Sequence, residues 1–205
     1  MYLGKRAVFI VLLFWQAIAA CQKAELDTTI LPSNVKLRTG DLVFRRGMGM
    51  RSYAVISADR EGRYSHVGMV VDSSGVQLVV HAVPDEPDFD GDIDRVKKST
   101  LEQFFSTDHA VIGEVLRPQD SARATCAASI AWRAYCCRLP FDHNYDDSDT
   151  TSMYCTELVV HALRGAGYDI SSLKHTEFRI PGLNVSCYLP SAVAGLPFLQ
   201  SVASF

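Results

Sequence analysis

A chain of 205 residues, 48% of them hydrophobic, with a formal net charge of -3, holds enough apolar material for one domain with an ordinary core. No basic cluster is long enough to track a phosphate backbone, which excludes nucleic acid as a partner, and the pair Arg45-Arg46 reads as surface charge.

The first elements concern export. Lys5 and Arg6 form a positive start, residues 7–15 an apolar run, and Ala17-Ile18-Ala19-Ala20 a small-residue cleavage end. The run is too short and wrongly flanked for a stable membrane span. Ile18-Ala19-Ala20-Cys21 resembles the lipobox of bacterial lipoproteins, which implies that Cys21 is acylated and becomes the mature N-terminus. Gln22, where Asp would retain the protein in the inner membrane, favours the outer one. The expected organisation is a lipoprotein signal peptide over 1–20, a lipidated N-terminus and tether over 21–38, and one domain over 39–205 facing the periplasm or cell exterior.

Asp41-Leu42-Val43-Phe44-Arg45 reads as a first strand, followed by a Gly47-Met48-Gly49 turn and a short helix over 50–58. Two β-rich runs, 64–71 and 76–82, flank the turn Asp72-Ser73-Ser74-Gly75 and predict a hairpin. In a symmetrical register His66 and His81 are directly opposite on one face, with Cβ atoms ~5 Å apart. Residues 84–94 form an acidic loop whose alternating Asp around Gly91 does not match the spacing of a calcium-binding EF-hand loop. Ser99 and Glu102 are spaced as a capping box for a short helix, and residues 110–117 read as another strand stopped by Pro118. Residues 121–139 predict an Ala-rich helix with Ala127, Ile130, Ala131, Ala134 and Cys137 on its packing face. A polar loop over 141–147 then leads to the Cys155 helix, and the tail over 171–205 reads as mostly irregular.

The sequence around Cys155 predicts a helix capped by Thr151 or Ser152, with Leu158, Val159, Ala162 and Leu163 on its apolar face and Gly165 and Gly167 at its end. A thiol in that first turn lies among free N–H groups at the positive end of the helix dipole. This favours the thiolate over the ordinary thiol pKa of ~8.5 and offers donors to an oxyanion. A nucleophile needs a base and a group to orient that base: His66 suits the first role and His81 the second, with Asp142 or Asp146 as other candidates for the third member. If Cys155 stays free in an oxidising compartment, Cys126, Cys136, Cys137 and Cys187 allow at most two disulfides, with the pairing open.

Gly40-Asp41-Leu42-Val43-Phe44, Tyr64-Ser65-His66-Val67-Gly68-Met69-Val70, Val80-His81-Ala82-Val83-Pro84, Leu139-Pro140-Phe141-Asp142 and Tyr154-Cys155-Thr156-Glu157-Leu158-Val159 together resemble the YiiX/YebB-like branch of the NlpC-type cysteine hydrolases. The resemblance implies an α+β, circularly permuted papain-like fold, an antiparallel sheet packed against helices, with His on a strand preceding Cys at a helix N-terminus. It further implies Cys155 as nucleophile, His66 as base, His81 as third polar residue, and Tyr64 and Tyr154 as pocket lining, without a cofactor. The implied activity is that of a cysteine peptidase or amidase acting through an acyl-enzyme on cell-wall peptides. The alternatives are acyl transfer or ester hydrolysis on lipid, as in the similar lecithin:retinol acyltransferase-like proteins, and a non-catalytic binding lipoprotein. His66, His81 and Cys155 are also a legitimate zinc ligand set, although the expectation is no metal.

Overall fold

The β-branched runs pair as one antiparallel sheet, and the small-residue and apolar helix faces cover one side of it. A computed structural model describes residues 28–59, 62–180 and 183–205; the segment expected to be a signal peptide, and Cys21, lie outside the described residues. In chain order the elements are β1 (Leu42–Arg46), α1 (Met50–Ala58), β2 (His66–Ser73), β3 (Val76–Val83), β4 (Arg95–Thr100), α2 (Leu101–Phe104), β5 (Ile112–Pro118), α3 (Ser121–Cys136), α4 (Cys155–Gly165), β6 (Thr176–Ile180), β7 (Leu183–Cys187), α5 (Pro190–Ala194) and β8 (Leu199–Ser204). The sheet order is β4-β3-β2-β1-β5-β8, and β6 and β7 form a separate hairpin. The fold is α+β, a six-stranded antiparallel sheet packed against helices.

Strand alternation divides the core between the two faces of the sheet. Leu42, Phe44, Val67, Met69, Val71, Val80 and Ala82 point toward α3 and α4, while Val43, Val70 and Val79 meet Leu37, Phe104 and Phe105 on the other side. The buried face of α3 is Ala124, Ala127, Ala128, Ala131 and Ala134, small enough for α4 to pack closely. Cys137 is not on that face: it caps the helix and is exposed, and the five described cysteines are all unpaired. Gly40 adopts φ +87° where an added Cβ would lie 2.5 Å from the Ala124 carbonyl oxygen, so a side chain there would push α3 off the sheet.

The tail is more regular than expected. β8 pairs with β5 and extends the sheet, and the β6–β7 hairpin carries Cys187. Pro190 and Pro197 break the tail into pieces too short to show periodicity.

Candidate active site

The β2–β3 hairpin turns on Ser74 (φ 58°) and Gly75 (φ 85°), the two positive φ values that a two-residue type I′ loop requires. Its register, Met69 opposite Val80 and Ser73 opposite Val76, is offset by two residues from the symmetrical expectation. Gly68, rather than His66, therefore stands across from His81, and a Cβ added to Gly68 would lie 3.1 Å from that of His81. Because side chains repeat every two residues, the offset leaves both histidines on one face. His66 and His81 are then diagonal neighbours, and the absence of a side chain at position 68 leaves the rings free to meet: His66 Nε2 is 2.9 Å from His81 Nδ1.

His81 is fully buried, and its other nitrogen, Nε2, is 2.9 Å from Ser99 Oγ on β4. Ser99 is free for this contact because the capping box of α2 forms one residue later than expected: Thr100 Oγ1 accepts from Gln103 N at 3.1 Å, and Gln103 Oε1 from Thr100 N at 2.9 Å. Asp142 and Asp146 do not take the third position. Asp142 accepts from Asn144 N and Asp146 N, and Asp146 from Ser148 N, so both carboxylates brace their own loop.

Cys155 is the first residue of α4, with Tyr154 at the N-cap. Thr151 and Ser152 do not cap it: the Thr151 amide and hydroxyl both bond Asp149, and Glu157 Oε2 accepts from Tyr154 N at 3.2 Å. Burial pushes the Cys155 thiol up to about 11, against the downward pull of the Val67, Thr156 and Cys155 backbone N–H groups and of the Arg45 charge. Desolvation thus outweighs the helix start, contrary to the lowered value that position alone suggests. Burial, then the charges of Arg45 and His109, hold His66 well below its ordinary value; burial, His66, Arg45, Lys97 and His109 do the same to His81. The resting pair is therefore neutral thiol and neutral imidazole.

Arg45 is not surface charge. It pairs with His66 across β1 and β2, is only 3% exposed, donates to Phe104 O at 2.8 Å and binds Glu86. The acidic loop is tied down by the protein's own cations, Asp85 by Arg51, Glu86 by Arg45, and Asp88 by Arg95 and Lys97.

Two cavities meet at Cys155. The wider, about 480 Å³, has polar groups from Arg45, Ser65, His66, Glu86 and His109 within a lining that is otherwise largely apolar, Met48, Val55, Phe141 and Tyr145 among it. The narrower, about 150 Å³, is apolar and aromatic, lined by Val55, Tyr154, Phe178, Cys187, Tyr188 and Leu189. Tyr154 is thus beside the thiol, its hydroxyl accepting from Tyr188 N at 3.3 Å. Tyr64 is not in either cavity; it is buried against Phe44. Tyr145, at φ 57° in the loop before α4, lines both cavities and escaped the sequence reading, as did Cys187 as a neighbour of Cys155.

The same architecture occurs in the crystal structure of the metalloprotein YiiX from Escherichia coli O157:H7, with a TM-score of 0.65 and 22% identity over 82% of this chain and 97% of that one. The chain has the fold of YiiX. No family model matches the sequence. The curated proteins likewise give no significant match. Among the described residues no group of three or more His, Cys, Asp and Glu side chains is placed to hold a metal ion, so His66, His81 and Cys155 do not converge as a ligand set.

Proposed function

We propose that the chain is a thiol hydrolase acting through an acyl-enzyme on Cys155, with His66 as base and His81 as its orienting partner. The observation that carries this reading is a cysteine at the first position of a helix, sharing a cavity with a buried neutral histidine whose far nitrogen is held by a second histidine. His66 Nε2 is engaged, which leaves Nδ1 to take the thiol proton as sulfur bonds the substrate carbonyl carbon. The carbonyl oxygen becomes an oxyanion near the N–H groups at the start of α4. Collapse expels the amine or alcohol, which takes the proton from His66. Water then attacks the thioester, gives its proton to His66, and releases the acid and the thiol.

The leaving group must lie beside protonated His66, which lines only the wider cavity of the two. The acyl side accordingly enters the narrow cavity, and in other apolar cores a cavity of ~150 Å³ admits a single benzene molecule. This suits a compact apolar acyl group, such as one side chain of a cell-wall peptide amide, and gives our first reading. The apolar lining also favours a second, ester hydrolysis or acyl transfer on lipid with only part of the chain enclosed. Acylation of Cys21 would hold the domain at a membrane, near either substrate.

Single-turnover acylation with p-nitrophenyl butyrate tests the proposal. A burst of p-nitrophenolate with a matching mass increment on Cys155 supports it, both lost in Cys155→Ser and slowed in His66→Ala. Ester cleavage indifferent to Cys155 overturns it.

A further inference from the structure

The chain of contacts from His66 does not end at His81. On β4, Lys97 is directly across from His81 and Ser99 across from Val79, so Ser99 is the diagonal same-face neighbour of His81. Lys97 turns its ammonium to the Glu86 carbonyl and the Asp88 carboxylate, and as an ammonium it has no lone pair to offer. The Ser99 hydroxyl meets Nε2 at 2.9 Å and can accept from it.

Two proton arrangements satisfy both contacts. In one, His66 Nε2–H donates to His81 Nδ1 and His81 Nε2–H donates to Ser99, leaving a lone pair on His66 Nδ1. In the other every donor reverses, the proton sits on His66 Nδ1, and the ring is no base for Cys155. We propose that Ser99 is a positioning residue of the Cys155 site: with its own hydroxyl proton given to the polar opening it lines, it accepts from His81 Nε2–H and so holds both histidines in the tautomers that leave His66 Nδ1 unprotonated.

This inference rests on the hydrolase reading for its consequence, although not for its geometry. Ser99 touches no reacting atom. It also lines a polar cavity of about 420 Å³ with Asp88 and Lys97, which shares Glu86, Asp108 and His109 with the wider cavity but does not reach Cys155. The charged or titratable groups that face the two rings are Arg45 from β1, Lys97 from β4, His109 from the loop after α2, and Glu86 through its pairing with Arg45.

The test is long-range 1H–15N NMR of the histidine rings in the full chain, followed by iodoacetamide alkylation of Cys155. In the wild type both His66 and His81 are expected as Nε2–H tautomers; Nδ1–H on both rings overturns the proposal without any variant. In Ser99→Ala the His81 signals are expected to become a tautomer mixture, the neutral-pH alkylation rate to fall about two- to threefold in proportion to the wrong tautomer, and its pH profile to move upward. Ser99→Thr, which keeps the hydroxyl, is expected to restore both readouts. Unchanged ring signals in Ser99→Ala overturn the role of Ser99. A normal tautomer pattern with alkylation indifferent to His66→Ala instead overturns the hydrolase reading, so the two failures are distinguishable.

Discussion

His66 Nε2 and His81 Nδ1 are 2.9 Å apart, although the two residues are not cross-strand partners. The contact is diagonal, and it depends on the glycine that stands opposite His81. An alanine at position 68 would put its Cβ 2.5 Å from Val79 Cγ1 and 3.1 Å from His81 Cβ. Gly68→Ala is expected to destabilise the domain by about 1–3 kcal/mol, because the overpacking exceeds the gain from a stiffer unfolded chain. Its activity per folded molecule is expected to fall as well. Denaturant midpoints and burst amplitudes measure the two effects separately.

Burial and nearby cations hold both histidines well below 6.5 in the folded state. Unfolding raises their affinity for protons, so below about pH 6.5 the unfolded chain binds more protons and stability falls as pH falls. Above that pH the pair adds no slope. Thermal unfolding between pH 7.5 and 4.5 is expected to show a loss on the acid side that is shallower in a His66→Asn, His81→Gln double variant. The same shift keeps His66 an effective base in mild acid, so p-nitrophenyl butyrate acylation is expected to persist at pH 6.

Glu157 has the opposite sign. Burial, then the charges of Asp142, Asp147 and Asp149, outweigh its bond from Tyr154 N and push its carboxyl up to about 8. The folded chain therefore holds a proton there that the unfolded chain loses near pH 4.3, and stability from this group declines as pH rises from about 4.3 to 8. Gln keeps an acceptor for Tyr154 N without the buried charge. Glu157→Gln is expected to raise Tm at pH 8 and to leave it nearly unchanged at pH 4, in paired thermal melts.

The narrow cavity sets the acyl group. Ala54 lines it from α1, and Ala54→Phe would fill a space of about 150 Å³. With p-nitrophenyl butyrate, kcat/KM is expected to drop about tenfold or more, in line with the cost of misfit in an apolar pocket. Alkylation of Cys155 by the small reagent iodoacetamide should change far less. Equal losses in both assays would place the acyl group elsewhere.

Much of this site was legible because its periodicities are short. The turn Asp72-Ser73-Ser74-Gly75 announces the hairpin, and the period of two keeps His66 and His81 on one face whatever even offset the turn selects. The helix at Cys155 is visible from its apolar stripe and terminal glycines. What stayed hidden depends on contacts between distant segments. Ser99 looked like a cap because Thr100 and Gln103 make the same pattern one residue later. Arg45 looked like surface charge because Phe104 and Glu86, its partners, are more than 40 positions away. Tyr64 lies two residues before His66 but packs into the core, and Tyr145, at a left-handed turn, lines the same cavities as Cys155. The pull of desolvation against the helix start at Cys155 likewise follows from packing, which sequence spacing does not express.

The pairing of Cys155 with His66 is tested most directly by the rate of iodoacetamide alkylation of Cys155 between pH 5 and 10, in the wild type and His66→Ala, with Cys155→Ser as the site control. A half-buried thiol pushed up to about 11 predicts a rate still climbing at pH 10, together with a His66-dependent component at pH 7 that His66→Ala removes. Superimposable profiles for the wild type and His66→Ala would contradict the account, leaving Cys155 a half-buried thiol without a base.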